Sequence, residues 1–320
     1  MKAMWMVINL WLLAWGVPPQ AMYVKTFGDP ASKPLIFLHG GPGGSAIDFE
    51  VTTAAVLADR GFFVVVYDRR GEGRSEDDSA RFTFHQTLAD LNDIYSQFGF
   101  SKATLIGHSF GGIVATYFAE QHPEKVDRLI LAGAPLSLQH TFRTILQNVK
   151  QRAASRQDSA ALKQVRAVQG YDTTSIYYSS GCFMLAMQNG LYTTRQPNEK
   201  ATALYGLFQT HEMMKRYTSF LANTQYKTMF QPTMGFLNNE RYTSINMEDK
   251  LNRVRGQGVL VYGIYGKEDG LFDADHIAKV RTAVGNEDRM AYLDQCSHGV
   301  FIDQHDRFVS LVHDWSNSGL

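Results

Sequence analysis

The sequence has few cysteines and no net charge, and each shortage excludes a class of protein. Two cysteines, Cys182 and Cys296, are too few for a disulfide scaffold or a cysteine-ligated zinc site. The 31 Lys and Arg residues balance the 31 Asp and Glu residues, so no net charge attracts nucleic acid or an anionic membrane surface. Apolar residues make up an ordinary 44% of the 320 residues, which excludes wholesale disorder and a protein with many membrane spans. The composition predicts a soluble globular protein, typical of an enzyme.

The chain begins with an apolar stretch that is too short to cross a membrane. This stretch, residues 4–15, falls short of the roughly 20 apolar residues that a spanning helix needs. The charge of Lys2, the apolar stretch, and small residues at Ala14 and Gly16 are typical of a secretory signal peptide over residues 1–21. This hypothesis predicts export to the periplasm or the medium, no membrane span in the mature protein, and an oxidising environment in which the two cysteines can pair. The alternative is an edge strand or short helix packed on a cytoplasmic domain. Two free thiols fit the sequence equally well.

Short apolar runs recur from Met22 onward, each bounded by glycine or other turn residues. They lie at 34–39, 62–67, 103–106, 129–131, 259–262 and 290–293. Their residues are β-branched or aromatic and do not alternate with polar ones, which is typical of parallel strands buried on both faces. Helical spacing appears between them, at 46–59, 87–98, 112–121 and 305–315. This alternation predicts an α/β fold, a mostly parallel, doubly wound sheet with helices on both faces.

The alternation is interrupted between about residues 136 and 255. No buried-strand run occurs there, aromatic and methionine residues are abundant, and apolar residues recur at helical spacing. We interpret this segment as a helical insertion over the carboxyl edge of the sheet, with most of its apolar residues in its own core and a minority roofing a cavity. The predicted organisation is a core of residues 22–135 and 256–320 with a helical cap at 136–255.

A candidate nucleophile lies on the turn Gly107-His108-Ser109-Phe110-Gly111. The turn follows a predicted strand directly and precedes a predicted helix, the order in which a nucleophile elbow lifts a serine hydroxyl clear of the sheet. Glycines two residues before and two after the serine allow strand and helix to approach closely. The alternative is a tight structural turn with an incidental serine.

A second glycine-rich turn, residues 39–44, ends an earlier strand with the sequence H-G-G-P-G-G. A phosphate-binding loop would end in G-K-[ST], which this turn lacks. Backbone amides of such a turn, together with the amide after the nucleophile, can stabilise the oxyanion of a tetrahedral intermediate. We assign those donors to Gly41 and Phe110. His39 is interpreted as a structural hydrogen-bonding residue.

The base and acid that a serine nucleophile requires are predicted on the two loops after the last strands. The chain order serine, acid, histidine is the order of this elbow motif. His298 is the histidine that directly follows a late strand, so we assign it as the base. Asp269 is the preferred acid, with Glu268 and Asp273 as alternatives.

These motifs together resemble the α/β-hydrolase superfamily, and the proline-containing glycine turn is most similar to its proline iminopeptidase branch. The resemblance covers about residues 22–135 and 256–320, and it includes Y-D-R-R-G-E-G-R-S at 67–75 and H-P-E-K-V at 122–126. It implies Ser109 as nucleophile, His298 as base and Asp269 as acid, with the turn amides as oxyanion hole. It also implies that the insertion is a cap that selects the substrate.

The chain departs from the proline iminopeptidase branch at several positions. That branch usually has glutamine where Arg69 lies and tryptophan where Phe110 lies, and it uses tryptophan and glutamate residues of the cap to bind the substrate's proline ring and free amine. No tryptophan lies in the predicted cap. Glu212 and Glu240 are the cap carboxylates assigned here to an ammonium group. The alternative is that both are solvated charges.

Three functions are compatible with these motifs. We favour a serine hydrolase acting as an aminopeptidase-like amidase on short peptides or small molecules slightly over a carboxylesterase acting on small apolar esters. A ligand-binding protein that keeps the fold without turnover is a remote third. A dehalogenase or an epoxide hydrolase would have aspartate at position 109. The hydrolase hypotheses require no cofactor, metal or nucleic acid, and the sequence leaves the oligomeric state open.

Overall fold

The computed structural model describes residues 22–218 and 226–318. The predicted signal peptide, residues 1–21, lies outside the described residues. Within the described ranges, no helix is both long and apolar enough to cross a membrane.

The described residues form a seven-stranded sheet with one antiparallel edge. The strands are β1 Val24–Phe27, β2 Lys33–Leu38, β3 Phe62–Tyr67, β4 Ala103–His108, β5 Val126–Ala132, β6 Leu260–Gly266 and β7 Met290–Leu293. Their order is β1-β3-β2-β4-β5-β6-β7, and only the pair β1–β3 is antiparallel. The predicted doubly wound, mostly parallel sheet is confirmed. Strand β1 escaped the sequence analysis because its residues are at least partly exposed and include polar ones, unlike a buried run.

Helices cover both faces of the sheet because successive residues of a buried strand point to opposite faces. Ile36 and Leu38 pack into the core on one face, whereas Leu35 and Phe37 pack into the core on the other. The helices are α1 Ile47–Phe49, α2 Ala55–Ala58, α3 Phe84–Phe98, α4 Phe110–Gln121, α5 Leu138–Ser155, α6 Ser159–Gln169, α7 Ile176–Gln188, α8 Glu199–Thr210, α9 Glu212–Thr218, α10 Gln231–Glu240, α11 Glu248–Gly256, α12 Ala274–Val284, α13 Val300–Asp303 and α14 His305–Asn317. Helices α3, α4, α11 and α12 contribute to the first core, and α2, α13 and α14 to the second.

Shorter helical turns join several of these elements. They are the π-helical turns Glu50–Ala54 and Tyr226–Phe230, and the 3₁₀ turns Pro123–Lys125, Tyr242–Ser244 and Glu287–Arg289. The first π-turn lies between α1 and α2, so the single helix expected at 46–59 is built in three pieces.

Helices α5 to α11 lie between β5 and β6, where the sequence predicts a helical insertion. A bridge between Ser137 and Asn246 brings the chain back to the point where it left, and the Met247 amide donates to the Leu136 carbonyl at 2.7 Å. Helix α11 lies beyond this bridge and is linked to α4 by the ion pair of Lys250 with Glu120. The division into core and cap, with its boundaries at 136 and 255, stays a prediction.

Both cysteines are free thiols and both are buried. Cys182 lies on α7, and burial raises the pKa of its thiol to about 12. Cys296 follows β7, and burial likewise raises its thiol pKa. Of the two alternatives that the sequence allowed, the structure has the unpaired thiols.

Candidate active site

Ser109 lies on a strained turn between β4 and α4. Its backbone has φ 50° and ψ −122°, a conformation that non-glycine residues rarely adopt. The turn depends on close backbone approach: a Cβ on Gly107 would lie 2.5 Å from the Gly112 Cα, and one on Gly111 would lie 2.1 Å from the Leu38 carbonyl oxygen. The structure therefore has the strand, turn and helix that the motif predicts, and the strain is held by packing around it.

His298 and Asp269 meet beside this turn, although they are carried by different loops. Asp269 follows β6 and His298 follows β7, and adjacent parallel strands end at the same edge of the sheet. The Nδ1 atom of His298 is 2.8 Å from Oδ2 of Asp269, whose other oxygen accepts the Leu271 amide at 3.0 Å. Both residues are buried. The carboxylate orients the ring and leaves Nε2 as its second functional atom.

The two alternative acids are engaged elsewhere. Glu268 accepts hydrogen bonds from the Thr194 hydroxyl and the Arg195 amide. Asp273 caps α12 and accepts from His140. In the described structure, the hydrogen bond to His298 is made by Asp269.

The glycine-rich turn packs directly against the Ser109 turn. A Cβ on Gly40 would lie 3.4 Å from the Ser109 Cβ, and Gly41 has φ 131°, a value suited to glycine. The amide of Phe110 is the first of α4 and has no acceptor within the helix. Two backbone segments with available amides thus border the serine.

These groups line one cavity of about 290 Å³. Its lining includes Ser109, His298, Gly41 and Phe110. Its apolar wall includes Pro135, Leu138, Phe183, Leu271 and Phe272, and its other polar side chains are His108, Thr141, Tyr192, Thr233 and Tyr242. The Ser109 hydroxyl does not cap α4 and makes no hydrogen bond with the described residues.

No carboxylate lines this cavity. Residues 1–21, 219–225, 319 and 320 contain neither Asp nor Glu, so every carboxylate side chain of the sequence belongs to a described residue. Glu212 lies on α9 with 90% of its side chain exposed, 3.6 Å from Lys215. Glu240 ends α10 and accepts the Phe84 amide at the start of α3, at 2.8 Å. The structure therefore places neither Glu212 nor Glu240 in the lining of this cavity.

Two further histidines support the loops of the site. His39 Nδ1 lies 2.7 Å from the Gly40 carbonyl oxygen, and its Nε2 accepts the Arg69 amide at 3.0 Å. His108 Nε2 lies 3.1 Å from the His298 carbonyl oxygen. The His39 ring must be neutral to donate from Nδ1 and accept at Nε2, and burial lowers its pKa well below its ordinary value. Burial also lowers the pKa of His108 to about 3.

Comparison with known proteins identifies the family. A family model described as alpha/beta hydrolase fold matches residues 33–304. The chain belongs to the α/β-hydrolase family. This hydrolase is 24% identical over 302 residues to a proline iminopeptidase of Lactobacillus helveticus, and the match covers 92% of this chain and 93% of that protein. This similarity confirms the resemblance to the proline iminopeptidase branch that the sequence motifs predict.

Solved structures share the fold at low identity. A proline iminopeptidase-related protein from Thermus thermophilus has a TM-score of 0.62 at 18% identity, covering 92% of each chain. A carboxylesterase from the thaumarchaeon Nitrososphaera gargenis has a TM-score of 0.58 at 20% identity, covering 92% of this hydrolase and 93% of that chain. The predicted fold class and the assignment as a hydrolase are confirmed.

The buried histidines predict that acid destabilises this hydrolase. Burial lowers the pKa of His39, His108 and His276, the last two to about 3, so each takes up a proton on unfolding below about pH 6.5. Asp48 opposes them, because burial raises its pKa to about 6 and it releases a proton on unfolding. Burial also raises the pKa of Glu72, Asp90 and Asp303, which act in the same direction as Asp48. Because the unfolded histidines already begin to bind protons below about pH 7.5, the free energy of unfolding should be lower at pH 5.5 than at pH 7.5, each histidine contributing up to about 1.4 kcal/mol per pH unit. Urea unfolding at pH 7.5 and 5.5 measures this. His276→Asn should flatten the dependence by about one proton, whereas equal stability at both pH values would contradict the prediction.

Proposed function

We propose that this protein is a serine hydrolase that cleaves esters of small apolar acids through an acyl-enzyme. The observation that carries the proposal is the single cavity lined by Ser109, His298, Gly41 and Phe110, whose wall is mostly apolar and holds no carboxylate. Groups needed for covalent acyl transfer face one space, and that space suits an uncharged acyl chain.

Acylation uses the serine hydroxyl and the histidine ring. The Ser109 Oγ attacks the ester carbon while its proton passes to Nε2 of His298, and Asp269 stabilises the resulting imidazolium. When the tetrahedral intermediate collapses, the carbon–oxygen bond to the alcohol breaks and the alcohol leaves with the proton held by His298. Water then attacks the acyl carbon with His298 as base, which releases the carboxylic acid and restores the Ser109 hydroxyl.

The amides of Gly41 and Phe110 stabilise the charge that develops on the ester oxygen. The first belongs to the turn beside the serine and the second begins α4, where the helix dipole adds a partial positive charge. Loss of one oxyanion donor typically costs about 3–4 kcal/mol of transition-state stabilisation. This contribution requires that both amides point into the cavity before substrate arrives.

The cavity wall favours an ester over an N-terminal proline residue. The free amine of such a peptide is charged at neutral pH, and burying a cation without a partner costs several kcal/mol. Glu212 and Glu240 lie away from the cavity, so neither compensates that cost. An aminopeptidase remains the second candidate, favoured by the similarity to the Lactobacillus helveticus enzyme over 92% of the chain.

Two substrates separate the candidates. We expect p-nitrophenyl butyrate to be hydrolysed with a kcat/KM at least about 100-fold higher than proline β-naphthylamide, because the unpaired ammonium costs about 3 kcal/mol or more. Steady-state kinetics of the purified protein measure both values. Glu212→Gln and Glu240→Gln should leave ester hydrolysis within about two-fold of the wild type, since neither side chain lines the cavity.

Two results would contradict the ester proposal. Preference for proline β-naphthylamide, lost in Glu212→Gln or Glu240→Gln, would identify an aminopeptidase whose cap closes onto one of these carboxylates. Hydrolysis of neither substrate by a well-folded protein that also fails to react with a fluorophosphonate would favour the ligand-binding alternative.

A further inference from the structure

A buried ion pair lies under the glycine-rich turn. Arg69 and Glu72 are joined by two parallel bonds, Nε to Oε1 at 2.9 Å and Nη2 to Oε2 at 2.8 Å. Their side chains are only 2% and 0% exposed. The cost of desolvating both charges offsets most of the attraction in such a buried pair, so stability alone does not account for it.

Both members of the pair bind the backbone of the turn. Nη1 of Arg69 donates to the His39 carbonyl and Nη2 donates to the Gly40 carbonyl at 2.7 Å. Oε2 of Glu72 accepts the amides of Gly43 at 2.7 Å and Gly44 at 3.2 Å. The pair therefore holds the turn on both sides of Gly41.

The bond to the Gly40 carbonyl determines where the Gly41 amide points. That carbonyl and that amide belong to one planar trans peptide unit, so the N–H points opposite to the C=O. A glycine-rich turn rotates such a unit at low cost, because glycine tolerates positive and negative φ about equally. With the carbonyl held by Arg69, the amide is directed away from the guanidinium.

Arg69 also contacts the second proposed donor segment. Its guanidinium carbon lies 5.3 Å from the centre of the Phe110 ring, within the range of a cation–π interaction. A Cβ on Gly41 would lie only 2.9 Å from Nη2 of Arg69, so the guanidinium packs directly against the turn. One buried side chain thus contacts the backbone of the glycine-rich turn and the ring of Phe110.

We infer that the Arg69–Glu72 pair positions the oxyanion donors, holding the Gly40–Gly41 peptide in its donating orientation without itself contacting the substrate. The inference rests on the proposed acyl-transfer function. Arg69 and Glu72 act as positioning residues, and their effect should appear in the rate of acyl transfer rather than in ground-state binding.

Arg69→Lys tests the inference, because a single ammonium cannot reach both carboxylate oxygens and the Gly40 carbonyl as the planar guanidinium does. We expect kcat for p-nitrophenyl butyrate to fall about 100-fold, the typical cost of misplacing a catalytic group by about 1 Å, with KM nearly unchanged. Affinity for butylboronic acid, whose adduct with the serine mimics the tetrahedral intermediate, should fall by a similar factor. A merely structural role would lower the melting temperature and leave both quantities, per active site titrated by fluorophosphonate, at the wild-type value.

Arg74→Lys is the matched control. Arg74 is also a buried cation on the same loop, but it pairs with Asp68 and Glu50 and makes no hydrogen bond to residues 39–44. This variant should keep kcat and boronate affinity within about three-fold of wild type, since it leaves the turn's own contacts intact.

The possible outcomes separate this inference from the proposed function. If Arg69→Lys does not fold, the double variant Arg69→Gln/Glu72→Gln replaces the pair by neutral groups of similar shape, and the same loss of kcat and boronate affinity is expected. Wild-type kcat and boronate affinity in either folded variant would overturn the inference while leaving the hydrolase proposal intact. Failure of well-folded wild type to react with fluorophosphonate would overturn both.

Discussion

Replacing Ser109 with alanine is expected to lower kcat for p-nitrophenyl butyrate by about 10⁶-fold, the loss typical of removing a serine nucleophile. The substitution removes only the hydroxyl. It keeps the Cβ that packs near Gly40, so the two turns should stay in place. Residual hydrolysis would come from direct attack of water on the ester, with the oxyanion donors stabilising the resulting intermediate. Stopped assays at high enzyme concentration, together with labelling by a fluorophosphonate, measure the loss.

Ser179→Ala is the control for this prediction. Ser179 is also a buried serine, but it lies on α7 and its hydroxyl donates to the Ser175 and Ile176 carbonyls of its own helix. It should retain full labelling and turnover. Undiminished labelling of Ser109→Ala would place the nucleophile elsewhere and refute its assignment to Ser109.

Asp269→Asn is expected to lower kcat by about 10⁴-fold with little change in KM. The carboxylate accepts a hydrogen bond from the Nδ1–H of His298, which stabilises the tautomer with Nε2 unprotonated. An asparagine amide in the same place can donate to Nδ1, which stabilises the opposite tautomer, and it no longer compensates the imidazolium charge. Steady-state kinetics with p-nitrophenyl butyrate measure the effect, and circular dichroism checks that the variant folds.

Glu268→Gln and Asp273→Asn are the matched controls, because both were alternatives for the acid. Glu268 binds Thr194 and Arg195, and Asp273 binds His140, so each variant should keep kcat within about five-fold of wild type. A loss as large as that of Asp269→Asn in either one, with Asp269→Asn nearly active, would reassign the acid.

Buried strands were the part of the fold most easily predicted from the sequence. The run at 62–67 is apolar throughout because β3 lies inside the sheet and packs on both faces. Such a run predicts a buried strand without any knowledge of the strands beside it. Strand β1 could not be found in the same way. It pairs with β3 at the sheet edge, and exposed residues such as Lys25 and Thr26 carry no distinctive pattern.

The residues of the candidate site differ in the same way in how far the sequence predicts their positions. Ser109 and His298 were predicted because each comes after the carboxyl end of a strand, and the parallel strands of a sheet end at one edge. Glu212 and Glu240 were selected only for their charge and their place in the chain, and their positions in the structure depend on how α9 and α10 pack. The contacts of Arg69 and Glu72 with the glycine-rich turn could not be predicted from the sequence, because the motif at 67–75 does not indicate which backbone atoms those side chains bind.

The sequence by itself determined the chain order of the catalytic residue types, the strained serine turn and the glycine-rich turn, because these depend on local backbone geometry and on short-range spacing. Only the tertiary structure decided which carboxylate reaches His298, which side chains between β5 and β6 border the cavity, and which side chain binds the Gly40 carbonyl. Those contacts join residues far apart in the chain, and their geometry depends on packing between elements rather than on the periodicity within any one of them.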